Sequence, residues 1–169
     1  MAELSGVEVL PVLHNAYSQQ RVVEAARVVY GLGYHVFIVT KASGSAAQAG
    51  VPEAQKLALK MGRTFMCLPD LPDAIEVLKP NIVLLFVPKK YAQKPLSEVV
   101  NTAAGRLLAV FGGSDPGLSK KELEMGIAVY PDGIEEDVGS TGMVAIALYL
   151  LRSVSKLHHR MMSETLRRI

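Results

Sequence analysis

The sequence has one cysteine, no long uncharged apolar run and little net charge. A single cysteine, Cys67, excludes a disulfide scaffold and a zinc centre of several thiolates, and no metal site is predicted. Because Cys67 lies in the apolar run 65–68, we expect it to be a buried, unreactive thiol. The longest uncharged apolar stretch, 143–151, is too short to cross a bilayer, and no basic secretory segment precedes Glu8. These features predict a cytoplasmic protein with no membrane partner.

The phosphate-binding loops of common nucleotide-binding proteins are also missing. Neither G-x-G-x-x-G nor G-x-x-x-x-G-K-[ST] occurs, so a dinucleotide or P-loop triphosphate site is unsupported. The net charge of +2 does not indicate a nucleic-acid binder, but the charges are unevenly distributed. Residues 111–140 hold seven acidic and two basic side chains, and residues 150–169 hold five basic and one acidic. These runs are either solvated faces or an acidic pocket rim and a basic arm for phosphates.

Apolar runs of strand length alternate with segments of helical periodicity. Six strands are predicted, at 7–13, 36–39, 65–68, 82–87, 107–111 and 127–130. Helices are predicted at 19–32, 52–61, about 70–78, 96–104 and 120–125. A last helix is predicted from about 141 to past Arg160, with Ser140 as its cap, and residues 42–50 are predicted to be a loop. The pattern predicts one α/β domain over residues 1–169, with a doubly wound, mostly parallel sheet. Ligands of such sheets bind beyond the carboxyl ends of the strands.

Glycine-rich loops mark the candidate site. Gly112, Gly113 and Gly117 follow a strand directly, where they allow positive φ or a close approach of a ligand to the backbone. Ser140 and Thr141 open the last helix, where their hydroxyls either cap free N–H groups or leave those groups for an anionic ligand.

The order of these loops resembles the SpoU branch of the SPOUT superfamily, RNA methyltransferases with a deep trefoil knot. Residues 108–119, LAVFGGSDPGLS, are similar to the family's strand followed by G-S-E-G-x-G-L. Residues 127–131, IAVYP, and 140–147, STGMVAIA, are similar to its I-P strand end and S-L-N-V-x-x-A helix start. Residues 27–33, RVVYGLG, are similar to its R-T-A-x-x-F-G motif.

The resemblance implies a C-terminal deep trefoil knot over about 107–150 and a bent S-adenosylmethionine molecule held by the loops. Homodimerisation through the knot region and the last helix is also implied. The cofactor-binding residues so implied are Val87, Pro88, Phe111, Gly112, Gly113, Gly117, Ile127, Val129, Ser140 and Thr141.

Candidate residues for the reaction are basic. The resemblance puts an arginine near the reactive ribose: Arg27 in one register of the first motif, or Arg21 if Asn15 is the motif's asparagine. Either could also be a helix-surface charge paired with Glu24. Lys89 and Lys90, with Arg27, are predicted to meet RNA phosphates.

Acidic residues and one histidine complete the candidates. Asp115, Asp132 or Glu135 would favour a sulfonium ligand, and His14 is a weaker candidate for a base.

The function implied is S-adenosylmethionine-dependent methylation of tRNA or rRNA at the ribose 2′-oxygen. Ser114 stands where the family has glutamate, and Gly142 where it has asparagine. These departures favour an alternative, a knotted RNA- or cofactor-binding protein without catalysis. An unrelated doubly wound nucleotide-binding module is the third possibility.

Overall fold

The computed structural model describes residues 6–115, 117–152 and 167, and the described chain forms seven strands that alternate with helices. The strands are β1 (Glu8–His14), β2 (Val36–Thr40), β3 (Thr64–Leu68), β4 (Ile82–Phe86), β5 (Lys94–Pro95), β6 (Arg106–Gly112) and β7 (Ile127–Tyr130). The helices are α1 (Gln19–Gly31), α2 (Val51–Met61), α3 (Leu71–Leu78), α4 (Leu96–Val100), α5 (Lys120–Leu123) and α6 (Gly139–Leu151). No helix in the described ranges is long and apolar enough to cross a membrane.

The strands form one sheet in the order β3-β2-β1-β6-β4-β7-β5, and every pairing is parallel. The central strand β6 is buried along residues 107–111, as expected for a strand covered on both faces. Helices α1, α2 and α6 contribute to the core on one face, and α3 contributes to that on the other. The predicted doubly wound α/β class is confirmed.

The segment that connects β4 to β5 passes the end of another strand of the same sheet. These two strands are close in sequence, yet β7 lies between them in the sheet. Val87 donates its N–H to the carbonyl of Val129 (3.0 Å), and Gln93 donates to Ala128 (2.9 Å). The connecting segment therefore crosses the end of β7, which is the arrangement of the α/β knot.

Several local predictions were wrong. The two-residue strand β5 was missed, and residues 46–50, predicted as loop, form a π-helical turn that leads into α2. Helix α4 ends at Val100, and α6 begins at Gly139 with Val138 rather than Ser140 at its N-cap. The predicted extension of this helix past Arg160 lies outside the described residues.

Cys67 also differs from its prediction. Cys67 is exposed, because β3 lies at the edge of the sheet and its side chains are only partly covered. Burial of its surroundings still raises the pKa of the thiol, which favours the unreactive protonated form.

Candidate functional site

The loops that follow β4, β6 and β7 enclose a cavity of about 300 Å³ at the carboxyl-terminal edge of the sheet. Parallel strands put all their carboxyl ends on this edge, so residues distant in sequence meet here. Six of the predicted cofactor residues line the cavity: Val87, Pro88, Phe111, Gly112, Gly117 and Ser140.

The other four predicted cofactor residues lie outside the cavity lining. Ile127 and Val129 are part of β7, where Val129 is fully buried. Gly113 instead packs against the β1–α1 connection, and a Cβ there would lie 3.0 Å from Ala16 Cα. The Thr141 hydroxyl points to α1 and donates to Glu24 (2.9 Å).

The cavity wall is built from an aromatic pair and a fixed loop. The rings of Phe86 and Phe111 stack with centroids 4.9 Å apart, so the ends of β4 and β6 are packed rigidly. Ser140 donates its hydroxyl to the Gly112 carbonyl (2.8 Å), which ties α6 to β6. The backbone at Gly112 lies so close to Gly117 that a Cβ on Gly112 would sit 2.9 Å from Gly117 Cα. The two glycines thus shape the wall by permitting this contact.

Arg21 reaches the cavity edge from α1. Its guanidinium donates to the Gly113 carbonyl (3.2 Å) and to the Asp115 carboxylate (3.3 Å), and Asp115 lines the cavity. Asn15, at a positive φ of 62°, donates to the Ser114 hydroxyl beside them (3.2 Å). The Asn15 Oδ1 atom is buried without a hydrogen-bond partner among the described residues. The structure therefore gathers a cation, a carboxylate and an amide at one corner.

Arg27 lies elsewhere, in an apolar groove between α1 and α6. Neither arginine forms an ion pair with Glu24, the partner predicted from helical spacing. Glu24 instead accepts hydrogen bonds from Gln20 (2.8 Å) and Thr141, and these lower the pKa of its carboxyl, which the positive charge of each arginine lowers further. Of the two predicted catalytic arginines, only Arg21 lies at the cavity edge.

His14 is completely buried below the loop that follows β6. Its ring nitrogens contact the Thr40 hydroxyl (2.8 Å) and the Glu122 carboxylate (2.8 Å). Glu122 also accepts the N–H of Ser119 (2.6 Å) as half of a capping box. Burial alone would raise the pKa of Glu122, but the hydrogen bonds from Ser119 and His14 outweigh it and lower the pKa. In this arrangement the imidazole holds α5 against β1 and has no access to solvent.

The acidic rim is largely paired. Asp132 accepts both the N–H (2.9 Å) and the hydroxyl (2.6 Å) of Ser97. Glu135 accepts a hydrogen bond from Lys89 (3.1 Å), which raises the pKa of Lys89. Asp115 and Asp137 are the carboxylates among the residues that line the cavity. The described residues contain no group of three His, Cys, Asp or Glu side chains arranged for a metal ion.

Tyr91 was not predicted as a residue of this region. Glu122 and Asp137 were counted only within the acidic run 111–140, and Ser114 was noted only as a departure from the family motif. A local signal existed for Glu122, because Ser119-x-x-Glu122 is the capping-box pattern. The others are brought together by the sheet topology, which leaves no local pattern in the sequence.

Comparison with solved structures places the fold among methyltransferases. A probable methyltransferase from Bordetella pertussis matches with a TM-score of 0.69 and 16% identity, over 93% of this chain and 99% of its own. The SpoU methyltransferase AviRb from Streptomyces viridochromogenes, solved with AdoMet, matches with a TM-score of 0.64 and 16% identity, over 92% and 59% of the two chains. At these identities the likeness establishes the fold alone, which bears out the SPOUT-like architecture.

Sequence comparison points to a different activity. A protein from Aeropyrum pernix, ApeKORF2002P, named as a candidate type II restriction enzyme, is 46% identical over 86% of this chain and 93% of its own. MjaORF1200P from Methanocaldococcus jannaschii, named in the same way, is 39% identical over 81% and 91%. The family model described as RecB-family nuclease matches residues 44–150.

These matches overturn the predicted function. The RNA methyltransferase prediction was wrong because it rested on motifs that follow the fold, whereas the closely matching sequences are described as nucleases. The chain belongs to the family described as RecB-family nuclease (DUF2122).

Proposed function

We propose that this protein is an enzyme that cleaves phosphodiester bonds of nucleic acid at the corner formed by Arg21 and Asp115. The observation that carries the proposal is the Arg21–Asp115 pair at the edge of the cavity (3.3 Å). A guanidinium matches the geometry of a phosphate, and an adjacent carboxylate is able to take a proton. The family description and the names of the two archaeal relatives support hydrolysis as the reaction.

The roles follow from exposure and charge. The Asp115 side chain is 89% exposed, so its carboxylate can reach a water molecule and remove a proton as the water oxygen attacks phosphorus. The bond from phosphorus to the departing sugar oxygen breaks, and that oxygen takes up a proton from solvent. Arg21 would hold the phosphate and stabilise its growing negative charge.

Cleavage of labelled single- and double-stranded DNA and RNA, with and without added Mg²⁺, tests this proposal. We expect Arg21→Ala and Asp115→Asn each to lower the rate by about 100-fold, the usual effect of removing a charge-stabilising group or a positioned base. Lys56→Ala, which removes an exposed cation from α2, is the control for net charge. Arg27→Ala distinguishes the two arginines predicted from sequence. Loss of cleavage in Arg27→Ala with full activity in Arg21→Ala would refute the assignment.

We also propose S-adenosylmethionine as the small-molecule ligand of the cavity. The lining combines the aromatic Phe111 with carboxylates of Asp115 and Asp137, which suit an adenosyl group and a sulfonium cation. The AdoMet complex of AviRb, with the same fold, supports this ligand. Calorimetric titration with S-adenosylmethionine tests it. We expect binding by the wild type and at least a tenfold weaker affinity in Ser140→Leu, which fills the cavity. Equal binding by both proteins would contradict this site.

A homodimer through α1 and α6 is the third proposal. Ile146 is 36% exposed and Tyr149 63% exposed beside the apolar groove that Arg27 lines. Exposed apolar surface of this kind favours self-association. Sedimentation of the wild type and of Ile146→Arg tests the proposal. We expect a dimer for the wild type and a monomer for the variant, whereas a monomeric wild type would exclude it.

A further inference from the structure

Tyr91 stands at the mouth of the cavity with its ring open to solvent. It ends the 3₁₀ turn Lys89–Tyr91 directly after β4, lines the cavity and is 58% exposed. Its hydroxyl makes no hydrogen bond among the described residues. The ring therefore contributes little to the core, and its position beside a cavity calls for another explanation.

The backbone that carries this ring is fixed. Tyr91 donates its N–H to the Pro88 carbonyl (2.9 Å), which closes the turn. Val87 and Gln93, on either side of the turn, are hydrogen-bonded to β7 (3.0 and 2.9 Å). Because both flanks are fixed to the sheet, the backbone that carries the ring has little conformational freedom left to lose on binding.

The two lysines of the turn differ in their electrostatic surroundings. Lys89 is paired with Glu135, so much of its charge is already compensated. Lys90 has no carboxylate partner among the described residues, and its Nζ lies 4.8 Å from the centroid of the Tyr91 ring. One face of the ring thus carries a cation, while more than half of the residue remains exposed to solvent. An aromatic face with an uncompensated cation recognises a stacked base and its phosphate.

We propose that Tyr91 is a stacking platform for a nucleobase of single-stranded nucleic acid, with Lys90 beside it for the neighbouring phosphate. This inference rests on the proposed action of the protein on nucleic acid. It adds that the nucleic acid is single-stranded and that Tyr91 positions one of its bases at the cavity. A purine ring could also come from an adenosyl ligand, so the experiment includes that source.

The probe is a short single-stranded oligonucleotide with phosphorothioate linkages that resist cleavage and one 2-aminopurine, a fluorescent base that is quenched on stacking. We expect the wild type to bind it with quenching. Tyr91→Ala should bind about tenfold more weakly, within a range of roughly 5- to 150-fold, and lose the quenching. Tyr91→Phe should retain both, because the ring and not the hydroxyl stacks.

Tyr17→Ala is the matched control. Tyr17 is 54% exposed and follows β1 at the same edge of the sheet, with β6 between β1 and β4. Its substitution should leave affinity and quenching unchanged. Equal losses in Tyr17→Ala and Tyr91→Ala would overturn the inference, since any exposed tyrosine would then serve.

The remaining outcomes separate this inference from the proposed function. Binding by the wild type without quenching overturns the stacking role alone. No binding of any oligonucleotide overturns the action on nucleic acid together with this inference. Weaker binding of S-adenosylmethionine by Tyr91→Ala, with unchanged oligonucleotide binding, would mean that Tyr91 stacks on the adenosyl ligand. That result also overturns the inference.

Discussion

The contact between Glu122 and His14 should be a large single contribution to stability. Glu122 accepts hydrogen bonds from the Ser119 N–H (2.6 Å) and from His14 (2.8 Å), and the latter ring is 0% exposed. With Glu122 ionised, the Nε2–H of His14 donates to its carboxylate, and Nδ1 lies 2.8 Å from the Thr40 hydroxyl. Removing the carboxylate leaves a buried N–H without a hydrogen bond, since the other nearby carboxylate oxygen, Asp70 Oδ1, is 4.0 Å from Nε2.

The magnitude follows from these two bonds. A hydrogen bond to a charged group contributes about 1.5–3 kcal/mol, and a buried donor left unpaired has a comparable cost. We therefore expect Glu122→Ala to lower the free energy of unfolding by about 3 kcal/mol. For a chain of this length, 1 kcal/mol corresponds to roughly 2–4 °C, so the melting temperature should fall by about 6–12 °C. Glu122→Gln, which keeps one acceptor, should lose about half as much.

The pH dependence distinguishes the charge from simple packing. Because folding lowers the pKa of Glu122, its contribution is fully present above the unfolded value of about 4.5. It is lost as the pH falls through the lower folded pKa. The difference in stability between wild type and Glu122→Gln should therefore be constant near neutral pH and shrink below about pH 4.5.

Thermal denaturation followed by circular dichroism, from pH 7 to pH 3.5, measures both effects. Glu124→Ala is the control, since Glu124 is exposed at the end of the same helix. A melting temperature of Glu122→Ala within 1 °C of that of Glu124→Ala would refute the reasoning. A stability difference that does not change with pH would show that the carboxylate charge is not involved.

Three further substitutions test the packing around the site. Gly126→Ala places a Cβ against the Val83 carbonyl oxygen and 2.8 Å from Val83 Cβ, so we expect a loss of about 2 kcal/mol or more in chemical denaturation. Tyr34→Phe removes the buried hydroxyl that donates to the Leu148 carbonyl (2.6 Å), and a loss of about 1 kcal/mol should appear in the same assay, whereas an unchanged midpoint would contradict it. Ser97→Ala removes the hydroxyl that donates to Asp132 and should speed amide hydrogen exchange in the β7–α6 connection without unfolding the sheet. Exchange protection equal to that of the wild type would contradict a stabilising role for the Ser97–Asp132 hydrogen bond.

The fold was largely predictable from sequence because buried parallel strands are continuous apolar runs. β7 has the predicted bounds, Ile127–Tyr130, and α1 begins where predicted, at Gln19. β5 was not predictable, since Lys94 and Pro95 have no strand pattern and become a strand only by pairing with β7. Ser140 illustrates a different failure: its hydroxyl reaches the Gly112 carbonyl, a tertiary contact that replaced the local cap.

The candidate site was predictable only where a single loop carries it. The glycines after β6 were found from their spacing, but Arg21 and Asp115 lie 94 positions apart and leave no joint signal. Motif spacing alone favoured Arg27, which the structure places in the groove with α6. The reaction could not be predicted because one fold hosts proteins described as methyltransferases and as nucleases.

The insertion of β7 between β4 and β5 bears on how the chain acquires its structure. Residues 82–95 leave the ribosome before residues 127–130, which join the sheet by pairing with both β4 and β5. β4 and β5 cannot close upon each other in the meantime without excluding β7. Contacts so distant in sequence are slow to form. Because the loops after β4, β6 and β7 form the cavity, the cavity cannot exist until residues 127–130 have joined the sheet.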